Sequence, residues 1–226
     1  MGLKRKAVAK LAYLQSQPKL LVLDLNGVLI RRIERSYVLR PYVREFIKHF
    51  ARLYRLATWT SISKANANLI VKDLFGDLVC EAPKKGKAAT VTTGSGSSCT
   101  SSEEGAKVEL LFTWYQQQCV IADEDDGIPP DDLLDPETKP VFLKPLQKIW
   151  SRFPLYNNLN TIILDDSPEK MLKNDLALCV QPSSFDPSKA DSDEELKPGS
   201  SLWQRLEELA SSFESEEKGD AKRHEK

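Results

Sequence analysis

This chain of 226 residues is poor in the residues that build the commonest metal and redox sites, with two His, four Cys and two Met. Two imidazoles exclude a His-rich metal site. The cysteines (Cys80, Cys99, Cys119 and Cys179) stand far apart with no Cys-x-x-Cys pair. That excludes a dithiol redox motif and a zinc ribbon, and reads as reduced thiols of an intracellular protein. No apolar run approaches the roughly 20 residues that cross a bilayer, so no membrane partner is expected. Charge of one sign is lacking too: 32 Lys and Arg face 33 Asp and Glu, a net charge of −1 that gives no electrostatic reason for a nucleic-acid partner. Met1-Gly2-Leu3-Lys4-Arg5-Lys6 is basic, but no apolar leader core follows it. Lys6 occupies the place where a myristoylation signal carries Ser or Thr. Lys4-Arg5-Lys6 reads as a solvated basic start, with a short nuclear signal as the alternative. Nucleus and cytoplasm therefore both stay open.

Apolar residues make up 41% of the chain, ordinary for a globular protein, and the length suits one domain with extensions. The strongest signal is the run Leu20-Leu21-Val22-Leu23, which ends in Asp24 and the turn residues Asn26-Gly27. A short continuous apolar run bounded by turn residues reads as a buried strand of a parallel sheet. A second run, Thr161-Ile162-Ile163-Leu164, ends in Asp165-Asp166. Ligands of open α/β sheets bind at the carboxyl ends of strands, so both runs deliver carboxylates to that edge.

Between and around them, strands over about 54–59 and 110–115 alternate with helices. One helix opens at Arg40-Pro41, with Pro41 in its first turn and Val43, Phe46, Ile47, Phe50 and Leu53 at helical spacing. Another covers about 63–75 through Ala65, Leu69, Ile70 and Leu74 and stops at Gly76. A third follows Lys144-Pro145 through Leu146, Ile149 and Trp150. Ser167-Pro168-Glu169 has the form of a helix start, with Ser as cap and Pro at the first position. Leu176–Val180 is expected as a last strand, and Leu202, Leu206, Leu209 and Phe213 as one face of a final helix. Strands alternating with helices predict a parallel α/β fold. Residues 1–18 read as an N-terminal extension, 84–107 as a flexible small-polar insertion, 123–138 as an acidic loop and 214–226 as a charged, disordered tail. The main domain is 19–213. Trp59, Trp114 and Trp150 are expected in the core, and Asp131, Asp132 and the acids of 123–126 in solvent.

Asp24, Thr60, Lys144 and Asp165-Asp166 thus fall at strand ends or loop entries. A carboxylate can attack phosphorus, Mg²⁺ prefers oxygen ligands, and a lysine and a hydroxyl can neutralise and orient phosphoryl oxygens. The set suits phosphoryl transfer. The ordered series Asp24-Leu25-Asn26-Gly27-Val28, Leu39–Ile47 with Arg40-Pro41, Trp59-Thr60-Ser61, Leu143-Lys144-Pro145-Leu146 and Leu164-Asp165-Asp166-Ser167-Pro168 resembles the FCP/SCP branch of the haloacid dehalogenase (HAD) phosphatases. That branch includes RNA polymerase II C-terminal-domain phosphatases, and the resemblance, to members with a DLNG-type first motif, covers about 19–182. It implies a HAD-like Rossmannoid three-layer α/β/α fold with little or no cap, Mg²⁺ as cofactor, and a phosphoprotein or phosphopeptide as substrate of a monomer. Asp24 would be nucleophile and metal ligand, and Asn26 would offer its main-chain carbonyl to the metal. Thr60, or Ser61 one residue along, would bind phosphate. Lys144 would hold phosphate and nucleophile. Asp166 would ligate Mg²⁺, and Asp165 would orient Lys144 or a metal-bound water. Arg40 is either a substrate contact or a pairing residue.

Asn26 departs from the pattern. Active members usually carry Asp two residues after the nucleophile, as general acid and base, and an amide exchanges no proton at useful pH. Losing such a group costs about 10²–10⁴-fold in rate. An attenuated Mg²⁺-dependent Ser/Thr protein phosphatase is expected, with an inactive phosphoprotein-binding or scaffold module as the alternative. Because Asn-Gly is prone to deamidation, chemical conversion of Asn26 to an acid is a third reading.

Overall fold

The computed structural model describes residues 18–76, 108–123 and 140–212. The expected extension before residue 18, the 84–107 insertion, nearly all of the acidic loop, Phe213 and the tail lie outside the described residues. Within them the apolar runs form a five-stranded sheet in the order β5 (Leu110–Trp114), β4 (Arg55–Trp59), β1 (Leu20–Leu23), β8 (Thr161–Leu164) and β9 (Cys179–Val180). Every neighbouring pair is parallel. Both faces of a parallel sheet are covered, which is why β1 and β8 are buried at every position and apolar at all of them but Thr161.

Helix α1 (Val43–Leu53) follows β1 and α2 (Lys64–Phe75) follows β4, while the order runs outward from β1 to β5. Right-handed crossovers place both helices on one face. Contacts agree: Arg44 of α1 pairs with Asp73 of α2 at 3.0 Å. The C-terminal helix α4 (Ser201–Ser212) joins this layer, with Trp203 set 5.1 Å from Phe50 and 5.9 Å from Phe46 between ring centres. Tyr54, just past α1, donates its hydroxyl to the Leu206 carbonyl at 2.7 Å. The short α3 (Gln147–Arg152) precedes β8, which lies on the other side of β1, so its crossover occupies the opposite face. There Phe153 stacks on Phe112 of β5 at 5.2 Å. The result is a three-layer α/β/α fold.

Several local expectations are corrected. Pro41 precedes α1 instead of opening it: Tyr42 is the N-cap, in the left-handed region at φ 62°. In α1, Leu53 is exposed; in α2, Ala65 and Leu69 are exposed and Ala67, Ile70, Val71, Leu74 and Phe75 face the core. The α2 sequence carries apolar residues around its circumference, so spacing did not single out the face that the sheet would cover. Ser167-Pro168 opens only a 3₁₀ turn, Pro168–Met171, without a side-chain cap. Residues 176–178 are also 3₁₀, leaving two residues for β9.

Two small elements escaped the sequence pattern. Between β1 and α1 stands an antiparallel hairpin, β2 (Ile30–Ile33) and β3 (Ser36–Leu39), with Glu34 at φ 49° in its turn. Between β5 and α3, β6 (Val120–Ile121) pairs antiparallel with β7 (Phe142–Leu143).

Candidate active site

The strand order reverses at β1, where β4 lies on one side and β8 on the other. Such a switch point opens a crevice at the carboxyl ends of the strands. Register puts the candidate residues at that edge. Leu23 is level with Thr58 and with Leu164, so Asp24 is level with Trp59 and with Asp165. Thr60 lies one residue further along the same edge. The Asp24 N–H donates to the Leu164 carbonyl at 2.9 Å, which locks the loop start to β8.

Lys144 arrives from β7 and is buried with Asp24 and Asp165. Its Nζ lies 2.5 Å from Asp165 Oδ2 and 3.0 Å from Asp24 Oδ1. A second ammonium, Lys170 of the 3₁₀ turn, lies 3.8 Å from both Asp24 Oδ2 and Asp165 Oδ1. Sequence reasoning missed it, because a lysine in the first turn after Ser-Pro has nothing to distinguish it from a surface residue. The two segments are tied directly: the Lys144 N–H donates to the Lys170 carbonyl at 2.7 Å, and Asn174 Nδ2 donates to the Lys144 carbonyl at 3.0 Å.

Charge follows from this packing. Burial alone would raise the Asp24 carboxyl, but Lys144 and Lys170 outweigh it and hold the group below its usual range. For Asp165, burial and the neighbouring Asp24 carboxylate win over Lys144, and it is pushed up to about 6. Both lysines would be lowered by burial, yet the carboxylates beside them raise each above its ordinary value. Lys144, Lys170 and the Leu25 N–H all bear on the Asp24 carboxylate, but among the described residues neither oxygen has a well-aligned donor. A buried carboxylate left in that state keeps lone pairs for a cation or for bond formation.

Asp24, Asp165 and Asp166 offer one oxygen each within 4.8 Å of one another. An all-oxygen carboxylate set of this kind fits a hard divalent cation such as Mg²⁺. Asp166 is held close by the turn: a Cβ on Gly27, whose φ is +88°, would stand 1.9 Å from Asp166 Oδ2. Glycine at 27 therefore serves both the backbone conformation and the approach of the third carboxylate.

The other predicted residues sort as follows. Asn26 borders the crevice, and its Oδ1 accepts the Arg32 N–H of β2 at 2.9 Å. Thr60 is buried at the end of β4, its Oγ1 accepting the Ile62 N–H at 3.2 Å, whereas Ser61 lines the open crevice. Arg40 is not brought to the crevice. Its buried guanidinium donates Nε to Asp193, Nη1 to the carbonyls of Gly27, Val28 and Ser183, and Nη2 to Ser183 Oγ, and it lies over the Phe185 ring. The substrate-contact reading of Arg40 is corrected: its donors are spent on the protein, and it is a pairing residue. The crevice itself, about 890 Å³, is walled by Asn26, Arg31, Arg32, Ser61, Phe142 and Lys170 among others.

A parallel sheet of this order, with an acidic cluster at the end of its central strand, defines a doubly wound α/β domain. Residues 19–81 match the family model of the NLI interacting factor-like phosphatases, so the FCP/SCP resemblance is found by sequence over that segment. No curated protein matches the chain in sequence. Among solved structures, the RNA polymerase II CTD phosphatase Fcp1 aligns with 94% of this chain and 53% of its own, at 13% identity and a TM-score of 0.44. A variant of the fission yeast CTD phosphatase Fcp1 bound to beryllium fluoride aligns with 94% and 54%, at the same identity and score. The chain thus spans about half the length of these structures. The fold assignment rests on strand order and register.

Proposed function

We propose that the chain is a Mg²⁺-dependent Ser/Thr phosphoprotein phosphatase working through a phosphoryl-aspartate on Asp24, slowed by the amide at position 26. The observation that carries this is Asp24 itself: a buried, ionised carboxylate paired with Lys144 and approached by a second ammonium, Lys170, at a switch point. A carboxylate oxygen of Asp24 would attack phosphorus while the bond to the seryl oxygen breaks. Water would then cleave the acyl phosphate and restore Asp24. Lys144, steadied by Asp165, would neutralise phosphoryl oxygens, with the Thr60 or Ser61 hydroxyl orienting them. Mg²⁺, held by Asp24, Asp166 and the Asn26 carbonyl, would supply further charge neutralisation at those oxygens. Asn26 can neither protonate the leaving oxygen nor take a proton from water. Only a hairpin stands between β1 and α1, and the open polar crevice suits a phosphorylated side chain on a polypeptide better than a small metabolite.

The test is phosphate release from an aryl phosphate and a phosphoserine peptide, with Mg²⁺ and with EDTA, alongside Asp24→Asn. Metal-dependent release abolished by Asp24→Asn is expected. One observation favours a second reading, a phosphoprotein-binding module: the Asn26 oxygen is already engaged by the Arg32 N–H, so position 26 is built into the hairpin. Phosphopeptide binding without release under any condition would establish that reading in place of the first.

A further inference from the structure

We propose that Lys170 is a second phosphate-holding residue, recruiting a phosphoryl dianion to Asp24 at the expense of affinity for the divalent cation. The inference rests on the phosphoryl-transfer reading of the site. Lys170 differs from Lys144 in position. Lys144 is fully enclosed and bridges the two carboxylates from beneath, whereas Lys170 has 18% of its side chain exposed and lines the crevice where a ligand enters. Its ammonium is equidistant, at 3.8 Å, from Asp24 Oδ2 and Asp165 Oδ1, too far for a committed hydrogen bond to either. A cation so placed has donors left for an incoming anion.

Charge balance sets the direction of the effect. Three carboxylates (Asp24, Asp165, Asp166) face two ammonium groups, leaving one net negative charge in the cluster. A divalent cation would turn that to one positive, which suits a phosphoryl dianion. Without Lys170 the same cluster carries two negative charges; it attracts the cation more strongly and, once loaded, no longer attracts the anion. Lys170 is thus expected to strengthen anion binding and weaken cation binding together. A residue that merely supports the fold would change both in the same direction. The backbone adds a reason for the placement, since the Lys170 carbonyl accepts the Lys144 N–H and fixes the two lysines on adjoining segments.

The experiment uses the full chain with Lys170→Met, which keeps the stem and removes the charge, and Lys170→Arg, which restores it. Titration calorimetry measures Mg²⁺ alone, then inorganic phosphate at saturating Mg²⁺. Lys170→Met is expected to weaken phosphate binding at least tenfold and to tighten Mg²⁺ several-fold, with Lys170→Arg returning both toward the parent. Any other pattern, such as both ligands weaker or neither changed, overturns the assignment. If Lys170→Met does not fold, the parent protein supplies the answer: inorganic phosphate should slow reductive methylation of Lys170, and an unchanged rate overturns the proposal. Aryl phosphate turnover measured in parallel separates the two failures. Phosphate binding through Lys170 without turnover sinks the enzyme reading alone; turnover with phosphate affinity indifferent to Lys170 sinks this assignment alone.

Discussion

Asn26 and Gly27 are neighbours with opposite tolerance of change. Under the proposed phosphatase reading Asn26 stands where a proton carrier would be, so Asn26→Asp is expected to raise turnover by about 10²–10⁴-fold, measured on phosphoserine peptide. The parent should favour aryl phosphates, whose leaving oxygens need little protonation. Gly27 cannot change: Gly27→Ala puts a Cβ 1.9 Å from Asp166 at a φ of +88°. We expect a loss of roughly 1–3 kcal/mol in urea unfolding. Deamidation of Asn26 needs the Gly27 nitrogen to reach the side-chain carbonyl carbon. In the fold that N–H donates to the Ile30 carbonyl at 2.7 Å and the Asn26 oxygen accepts from Arg32. Intact-mass analysis should therefore show Asn26 persisting in folded protein and converting in the denatured chain. Away from the crevice, burial and the nearby Asp175 and Asp165 push the Cys179 thiol up to about 11. Its alkylation at pH 8 should be much slower than in the unfolded chain and should accelerate as pH rises toward that value.

Elements divide by how much of their surroundings they carry in their own sequence. β1 and β8 were legible because a strand buried on both faces must be apolar throughout. The stop of α2 at Gly76 was legible for another local reason, glycine's ease at the positive φ of 72° where the helix ends. The β2–β3 hairpin was not, because its strands are half exposed and Ile30-Arg31-Arg32-Ile33 gives no clean alternation. Of the site, Asp24, Thr60, Lys144 and Asp165-Asp166 could be placed from the runs they terminate. Lys170 could not, since only the packing of its turn against β7 brings it to Asp24. The register of α2 depended likewise on which side the sheet would cover. Tyr54 shows how an element is anchored: its hydroxyl crosses to α4. Tyr54→Phe should cost about 1 kcal/mol. Burial raises the Tyr54 phenol well above its usual range, and Arg205 only partly opposes this. A folded-state value above the unfolded one leaves stability intact below pH ~10 and erodes it as pH climbs further. Denaturation of the parent above pH ~10, compared with a flatter profile for Tyr54→Phe, checks the sign.

At the scale of the molecule, Arg40 joins two segments far apart in the chain. Its guanidinium fastens the carbonyls of Gly27 and Val28, in the loop after Asp24, to Ser183 and Asp193. The Phe185 N–H adds a bond to the Gly27 carbonyl at 2.8 Å. Arg40→Met would leave the part-buried Asp193 and the Val28 carbonyl without their guanidinium partner, and we expect a loss of about 3 kcal/mol in urea unfolding. The order of synthesis gives this tie a further meaning. Arg40 and Asp193 are 153 residues apart, so at ordinary rates of elongation the first strand and its aspartate leave the ribosome roughly 8–30 s before their anchor. During that interval Arg40 has the Gly27 and Val28 carbonyls within reach but neither Ser183 nor Asp193. Asp193 therefore emerges after every strand of the sheet, and a chain ended before it would carry those strands without the fastening of the loop that follows Asp24.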